Sequence, residues 1–441
     1  MSDRLPVEAP YRRVIVDGVE APFYVIPFDK DGLCTGPLTQ RSLIERVREA
    51  TPTDVFLFSH GWNNDWAAAT SRYDKFLDGF AALRTKYPLT REFRPTLIGV
   101  FWPSTSLVAP WEQAPNIAGG VPGSNGAAIA VERAEVALVA EAVEPRRRAR
   151  FYEIAQRPTG LEEAEVAELA ELLEPIWALE DHEAGAQDAP ASDEIARIWR
   201  SLPAQSRPET DFGFAEESGR SPQAAGWLGR LDLRGIIRLA TVLLMKDRAG
   251  RVGSRGVAEL LDAALSAAPN ARVHLIGHSY GCKVMLSALC ARPQPRSVES
   301  LLLLQAAVSR RCFAQNADGA GKPGGYRPAL DLCRLPIYST YSRWDVPLTR
   351  FFHLAVRRNS DVGEMQIAAE PSRFAALGGF GPADSPEVVV RPARLPPETY
   401  TGSANGHSIV ALESSAVIAG HGEINNEATW WMLLNQVAGA V

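Results

Sequence analysis

Short, unbroken apolar runs alternate along the chain with longer stretches whose apolar residues recur every three to four positions. The runs at 54–59, 96–102, 273–276, 300–305 and 336–341 are too short for helices and lack polar alternation, which is the pattern of strands covered on both faces. Residues 13–16 and 23–26 are two further apolar runs around Asp17-Gly18, a hairpin signal. Helical spacing occupies 38–50, 66–87, 256–267, 283–290 and 425–437, and residues 407–412 read as a last strand. Strands alternating with helices predict an α/β fold with a mostly parallel central sheet flanked by helices.

One stretch interrupts the alternation. From about 103 to 230 the strand signal disappears, and a loop containing Val121-Pro-Gly-Ser-Asn-Gly126 gives way to Ala/Glu/Leu-rich sequence. Residues 132–144 and 161–174 have helix composition, with Glu162, Glu163, Glu165, Glu168 and Glu171 close together in the second. The expected organisation is therefore a core in two parts, 11–103 and 231–441, around a large helical insertion at 104–230. That insertion reads either as a cap over a cleft or as a helical decoration with solvated acidic faces. The segments 181–192 and 203–226 read as loops.

Bulk properties narrow the function classes. A chain of 441 residues with 46% apolar and 22% charged residues supports a buried core, and a net charge of −6 offers no basic footprint for nucleic acid. Cys34, Cys282, Cys290, Cys312 and Cys333 are odd in number and form no C-x-x-C pair, so a reduced compartment is expected in preference to a disulfide framework. The first ten residues lack a signal-peptide core, and no apolar run has the length of a transmembrane segment. The expected location is cytoplasmic, with signal-independent export left open.

The chemistry concentrates where the run 273–276 ends. Gly277-His278-Ser279-Tyr280-Gly281 stands between that strand and the helix that follows. A Gly-x-Ser-x-Gly there is the sequence form of a nucleophile elbow, whose tight turn exposes the serine Oγ at a helix N-terminus. Ser279 is the candidate nucleophile. A serine hydroxyl needs a histidine to take its proton and a carboxylate to orient that histidine. Asp345 follows the strand at 336–341 and offers the carboxylate, although it also reads as a helix cap or turn residue. His421, between Gly420 and Gly422, follows the last strand; its rival His407 precedes that strand. His274 lies inside a strand and reads as a core residue, His182 falls in the insertion, and His353 follows Phe351-Phe352 in an apolar stretch. The order Ser, Asp, His in loops after strands is the order of an α/β-hydrolase. His60-Gly61-Trp62, directly after the run 54–59, is the candidate oxyanion loop. The N–H of Trp62 and that of Tyr280 are its expected donors, and Asn63 and Asn64 are placed to stiffen it.

The chain resembles the α/β-hydrolase superfamily, and within it a bacterial group of serine-esterase-like hydrolases of poorly defined substrate. The resemblance is carried by Phe58-Ser-His-Gly-Trp-Asn-Asn64, Phe101-Trp-Pro-Ser104, Met245-Lys-Asp-Arg-Ala-Gly250, Ile276-Gly-His-Ser-Tyr-Gly281, Gln305-Ala-Ala-Val308, Tyr341-Ser-Arg-Trp-Asp345 and Gly420-His-Gly-Glu-Ile424. It runs from about residue 12 to the C-terminus and leaves out most of the insertion. It implies Ser279, Asp345 and His421 as a triad, Trp62 and Tyr280 as the oxyanion hole, and hydrolysis of a small-molecule or lipid ester without metal or cofactor. The apolar run 236–245 reads as an acyl-pocket lining, an interfacial surface or a core helix. Two rival readings stand beside the esterase: a non-catalytic interaction module on the same fold, and a secreted lipase-type effector acting on membrane lipids.

Overall fold

A computed structural model describes residues 9–16, 18–62, 64–104, 125–157, 161–179, 183, 191–200, 233–352, 371, 375–400 and 406–439. The described strands form a nine-stranded sheet: β1 (Arg12–Val16), β2 (Val19–Pro27), β3 (Asp54–Ser59), β4 (Pro95–Phe101), β5 (Arg272–His278), β6 (Ser300–Leu304), β7 (Ile337–Tyr341), β8 (Val388–Pro392) and β9 (Ile409–Glu413). Their spatial order is β1-β2-β4-β3-β5-β6-β7-β9-β8. β1 and β2 are antiparallel, with Val16 opposite Val19 across the expected turn, of which Asp17 lies outside the described residues. All other neighbours are parallel.

Alternate side chains of each run feed two different cores, which is why the runs carry no polar alternation. On one face Val55, Leu57, Val273, Leu275, Leu301 and Leu303 pack under α1 (Pro37–Ala50), α7 (Leu233–Val252), α8 (Ala258–Ala267) and α9 (Tyr280–Cys290). On the other, Phe56, Phe58, Ile276, Leu302 and Leu304 meet α2 (Trp66–Lys86) and the C-terminal helix Glu427–Ala438. Asp65 caps α2 by accepting the Ala68 N–H at 2.7 Å, and Asn426 caps the C-terminal helix by accepting the Thr429 N–H at 3.1 Å.

The interrupting segment has a core of its own. Helices α3 (Asn125–Ala142), α4 (Arg148–Ala155), α5 (Glu163–Trp177) and α6 (Ser192–Arg200) bury Val139, Phe151, Leu169, Leu173, Trp177 and Trp199 together with Ile236, Ile237 and Ala240 of α7. Farther along α7, Val242, Met245, Ala249 and Val252 belong to the sheet-side core. The apolar run 236–245 thus joins two cores, as a core helix. Glu162, Glu163 and Glu171 are exposed, Glu168 is half-buried and Glu165 is buried. Residues 203–226, and 181–190 apart from Glu183, lie outside the described residues, as do His182 and His353.

β8 was not expected from the sequence. Its five residues end in Pro392, and only Val388-Val389-Val390 carry a strand signal, because the strand sits at the edge of the sheet where a single partner suffices. Among the described residues, no helix is long and apolar enough to cross a membrane.

Candidate active site

The site forms where chain direction across the sheet reverses. From β3 the chain steps outward to β4 on one side, then returns through β5 on the other side and continues through β6, β7 and β9. Loops leaving adjacent strands at such a reversal diverge and leave a crevice at the strand C-termini. Ser59 pairs with Gly277, so the residues following β3 and β5 run side by side. A Cβ on Gly61 would sit 2.7 Å from the Ser279 Cβ, so only glycine permits this approach.

Ser279 has φ 56° and ψ −123°, the strained conformation of an elbow, which surrounding bonds impose. Its N–H donates to the Leu304 carbonyl at 3.0 Å, and its own carbonyl accepts from Cys282 N at 3.1 Å and Ala307 N at 3.2 Å. A Cβ on Gly281 would lie 2.1 Å from the Ser59 carbonyl oxygen, and one on Gly277 would lie 2.5 Å from Cys282 Cα. Both flanking glycines are therefore required by close backbone approach.

Three side chains from three strand ends join here. The His421 Nε2 lies 2.8 Å from Ser279 Oγ, and its Nδ1 lies 2.8 Å from Asp345 Oδ2. A carboxylate only accepts, so Nδ1 carries the proton and Nε2 is free to accept from the serine hydroxyl. Asp345 is fully buried. Its Oδ2 also accepts from Gln305 Nε2 at 2.9 Å and its Oδ1 from Leu348 N at 3.1 Å. The turn reading of Asp345 and the orienting reading thus describe one residue doing both. His407 makes no hydrogen bond to Ser279 or Asp345 among the described residues. The Ser279 residue is 3% exposed and the His421 side chain 11%, so the chain of bonds lies in a nearly dry environment, where hydrogen bonds are stronger.

The loop after β3 is held as tightly. His60 is fully buried and stacks on Trp102 at 5.6 Å. Its Nε2 accepts the Trp102 N–H at 3.3 Å, which assigns the ring proton to Nδ1, 2.8 Å from the Gly61 carbonyl. Burial pushes its pKa down to about 4. Asn64 Nδ2 donates to the Gly61 and Trp62 carbonyls at 3.0 and 2.8 Å, and Asn64 exchanges two bonds with the Ser104 hydroxyl. The stiffening expected of Asn64 is present; Asn63 lies outside the described residues. Trp62 stands in this loop with its ring 6.1 Å from that of Tyr280, and Tyr280 is the first residue of α9.

Other histidines have structural partners. His274 Nε2 faces Asp54 Oδ1 at 3.1 Å and its Nδ1 faces Ser300 Oγ at 2.8 Å. Asp54 is gripped by both guanidinium nitrogens of Arg91, at 2.6 and 2.7 Å. Burial opposes its ionisation, but bonds from His274 and Arg91 hold its carboxyl well below the usual range. This network lies at the start of the strands, with His274 and Asp54 fully buried and Arg91 partly exposed, and His274 is the core residue expected. His278 Nε2 is 2.8 Å from the His421 carbonyl, and burial, with the nearby Arg72 charge, keeps its pKa well below the ordinary histidine value. The sequence reading singled out neither His278 nor Gln305 nor Arg72 for a role. Gln305 had a signal: it stands at the C-terminal end of a buried strand, where a polar residue must find partners.

The five cysteines are free. Among the described residues, no group of three or more His, Cys, Asp and Glu side chains is placed to hold a metal ion. Comparison of the chain with protein-family profiles, with curated proteins and with solved structures returned no match.

Proposed function

We propose that the chain is an α/β-hydrolase that cleaves a carboxylic ester through an acyl-enzyme on Ser279. The observation that carries this reading is the continuous chain of hydrogen bonds from Ser279 Oγ through both nitrogens of His421 to the buried Asp345. In the first step His421 Nε2 takes the hydroxyl proton while Oγ attacks the ester carbonyl. The backbone N–H groups of Trp62 and Tyr280 stabilise the resulting oxyanion, the second aided by the positive end of the α9 dipole. His421 passes its proton to the departing alcohol, then activates a water that releases the acid and restores Ser279. Asp345 holds the proton-bearing Nδ1 throughout and steadies the imidazolium that forms transiently.

The choice of an ester rests on the sequence resemblance. Support for a lipid substrate from the run 236–245 weakens, because Ile236, Ile237, Ala240, Val242 and Met245 are buried and the half-buried Leu239, Leu243 and Leu244 pack against the same cores. Hydrolysis of p-nitrophenyl esters graded from acetyl to long-chain acyl groups tests the reading. Turnover by the wild-type chain and none by Ser279→Ala is expected. Equal turnover by both would refute it, and a rate rising only above the micellar concentration of long-chain esters would favour the lipid-acting alternative.

A further inference from the structure

The loop that carries the base holds itself only in part: the Glu423 and Ile424 N–H groups donate back to the Gly420 and Gly422 carbonyls at 3.2 and 3.0 Å, and the Glu423 carboxylate accepts the Ala419 N–H at 3.1 Å. His421 stands between two glycines, which lack side chains to anchor the backbone, and the loop lies between β9 and the C-terminal helix. Beyond these local bonds, each of three successive carbonyls accepts a hydrogen bond from a different distant side chain. Gln305 Nε2 donates to the Gly420 carbonyl at 2.9 Å, His278 Nε2 to that of His421 at 2.8 Å, and Arg72 Nη1 to that of Gly422 at 3.3 Å.

Each donor is also tied to another part of the site. Gln305 shares the same amide nitrogen with Asp345 Oδ2 at 2.9 Å, the oxygen that orients His421. His278 precedes Ser279 in the chain, so its ring and the nucleophile move together. Arg72 Nε reaches Asn64 Oδ1 at 3.4 Å, and Asn64 holds the Gly61 and Trp62 carbonyls. We propose that His278, Gln305 and Arg72 act as a positioning clamp that fixes His421 against the nucleophile, the acid and the oxyanion loop respectively. The inference rests on the hydrolase reading of Ser279.

Local chemistry fits the assignment. Both acceptors of the Gln305 amide are oxygens, which places nitrogen and not oxygen toward them. Gln305 is fully buried and adopts φ 46°, a conformation a non-glycine residue keeps only where the surroundings impose it. His278 is 3% exposed, and among the described residues its Nδ1 has no partner and the bond to the His421 carbonyl is the ring's one hydrogen bond. Arg72 is half-buried and comes from α2, whose next residue, Tyr73, accepts the His60 N–H at 2.9 Å, so the same helix end also grips the loop after β3. Reacting groups must be held near attack geometry, and a displacement of about 1 Å costs on the order of 100-fold in rate.

The test measures the rate of covalent labelling by a fluorophosphonate on the full chain, across reagent concentrations, with melting curves to establish folding. His278→Leu is expected to lower the limiting rate by about 10- to 100-fold while half-saturation moves by less than about twofold. His278→Gln, which keeps an N–H donor at similar reach, is expected to return to within about threefold of wild type. Arg72→Met, at the partly exposed end of the clamp, is expected to lose roughly three- to tenfold, and it decides the matter if His278→Leu does not fold. Variants that fold and label as fast as wild type overturn the clamp. So does a His278→Gln variant as slow as His278→Leu, since the ring's shape and not its donor would then matter. A wild-type chain that does not label defeats the hydrolase reading, and the clamp with it.

Discussion

Glu183 presents a sharp energetic test. It is 1% exposed and its carboxylate meets two buried lysines, Lys246 on α7 (4% exposed) and Lys283 on α9 (7% exposed). Its Oε2 accepts from Lys246 Nζ at 3.0 Å and from the Ser309 N–H at 2.8 Å, and its Oε1 accepts from Lys283 Nζ. Lys283 stands one helical turn after Ser279, so the cluster adjoins the elbow. Within the cluster two ammonium groups face one carboxylate, and Glu183→Ala leaves both cations buried without it. Breaking a buried pair in this way costs about 3–5 kcal/mol, because the remaining charge keeps its desolvation penalty. For a chain of 441 residues each kcal/mol moves the thermal midpoint by about 1 °C, so the expected fall is roughly 3–5 °C, followed by far-ultraviolet circular dichroism at pH 7. Replacing all three groups by apolar residues removes the penalty along with the attraction, so Glu183→Leu, Lys246→Met, Lys283→Met is expected to recover most of the loss. A Glu183→Ala midpoint within about 1 °C of wild type would refute the reasoning, because a buried charge cluster cannot be that inexpensive to break. A triple variant no more stable than the single one would refute it as well.

Gly281→Ala places a methyl 2.1 Å from the Ser59 carbonyl and 2.5 Å from that of His60, so β3 and α9 must part. Chemical denaturation is expected to show a loss of about 1–3 kcal/mol, and labelling of Ser279 to slow by more than about tenfold; an unaltered variant contradicts the elbow geometry. His60 is neutral when folded because its pKa of about 4 lies below the usual histidine value. Between pH 6.5 and 4 the unfolded chain therefore binds the extra proton, so stability is complete above pH 6.5 and falls by about 3 kcal/mol on reaching pH 4. Denaturation midpoints measured across that window should decline less steeply in His60→Gln, and an equal decline would remove His60 as the cause. Asp345→Asn is expected to label about 10³- to 10⁴-fold more slowly, whereas His407→Ala stays within about twofold. The reverse ranking would transfer the base role to His407.

The strands of the sheet centre were legible because each must satisfy a core on both faces, which leaves a mostly apolar run without polar alternation. β3 matches its apolar run residue for residue, and the helices after β3 and β5 follow their spacing to within a few positions. β8 escaped because an edge strand needs no such run. Ser279, Asp345 and His421 were legible together because each follows a strand and because an elbow needs glycines on both sides. The donors to the base loop were not, since their partners are backbone carbonyls, which any residue supplies, lying 115, 143 and 350 positions away in the chain. Glu183 was equally hidden: one acid of Glu180-Asp181-His182-Glu183 looks solvated until the fold brings Lys246 and Lys283 to it.

The central claim is that Ser279 is an activated nucleophile. Its most direct test is fluorophosphonate labelling of the folded chain, with the modified peptide located by mass spectrometry, beside Ser279→Ala and heat-denatured controls. A single adduct on Ser279, absent from both controls, is the expected result. A folded wild-type chain that takes up no reagent, or one whose labelling survives the Ser279→Ala substitution, would contradict the claim and favour the non-catalytic module.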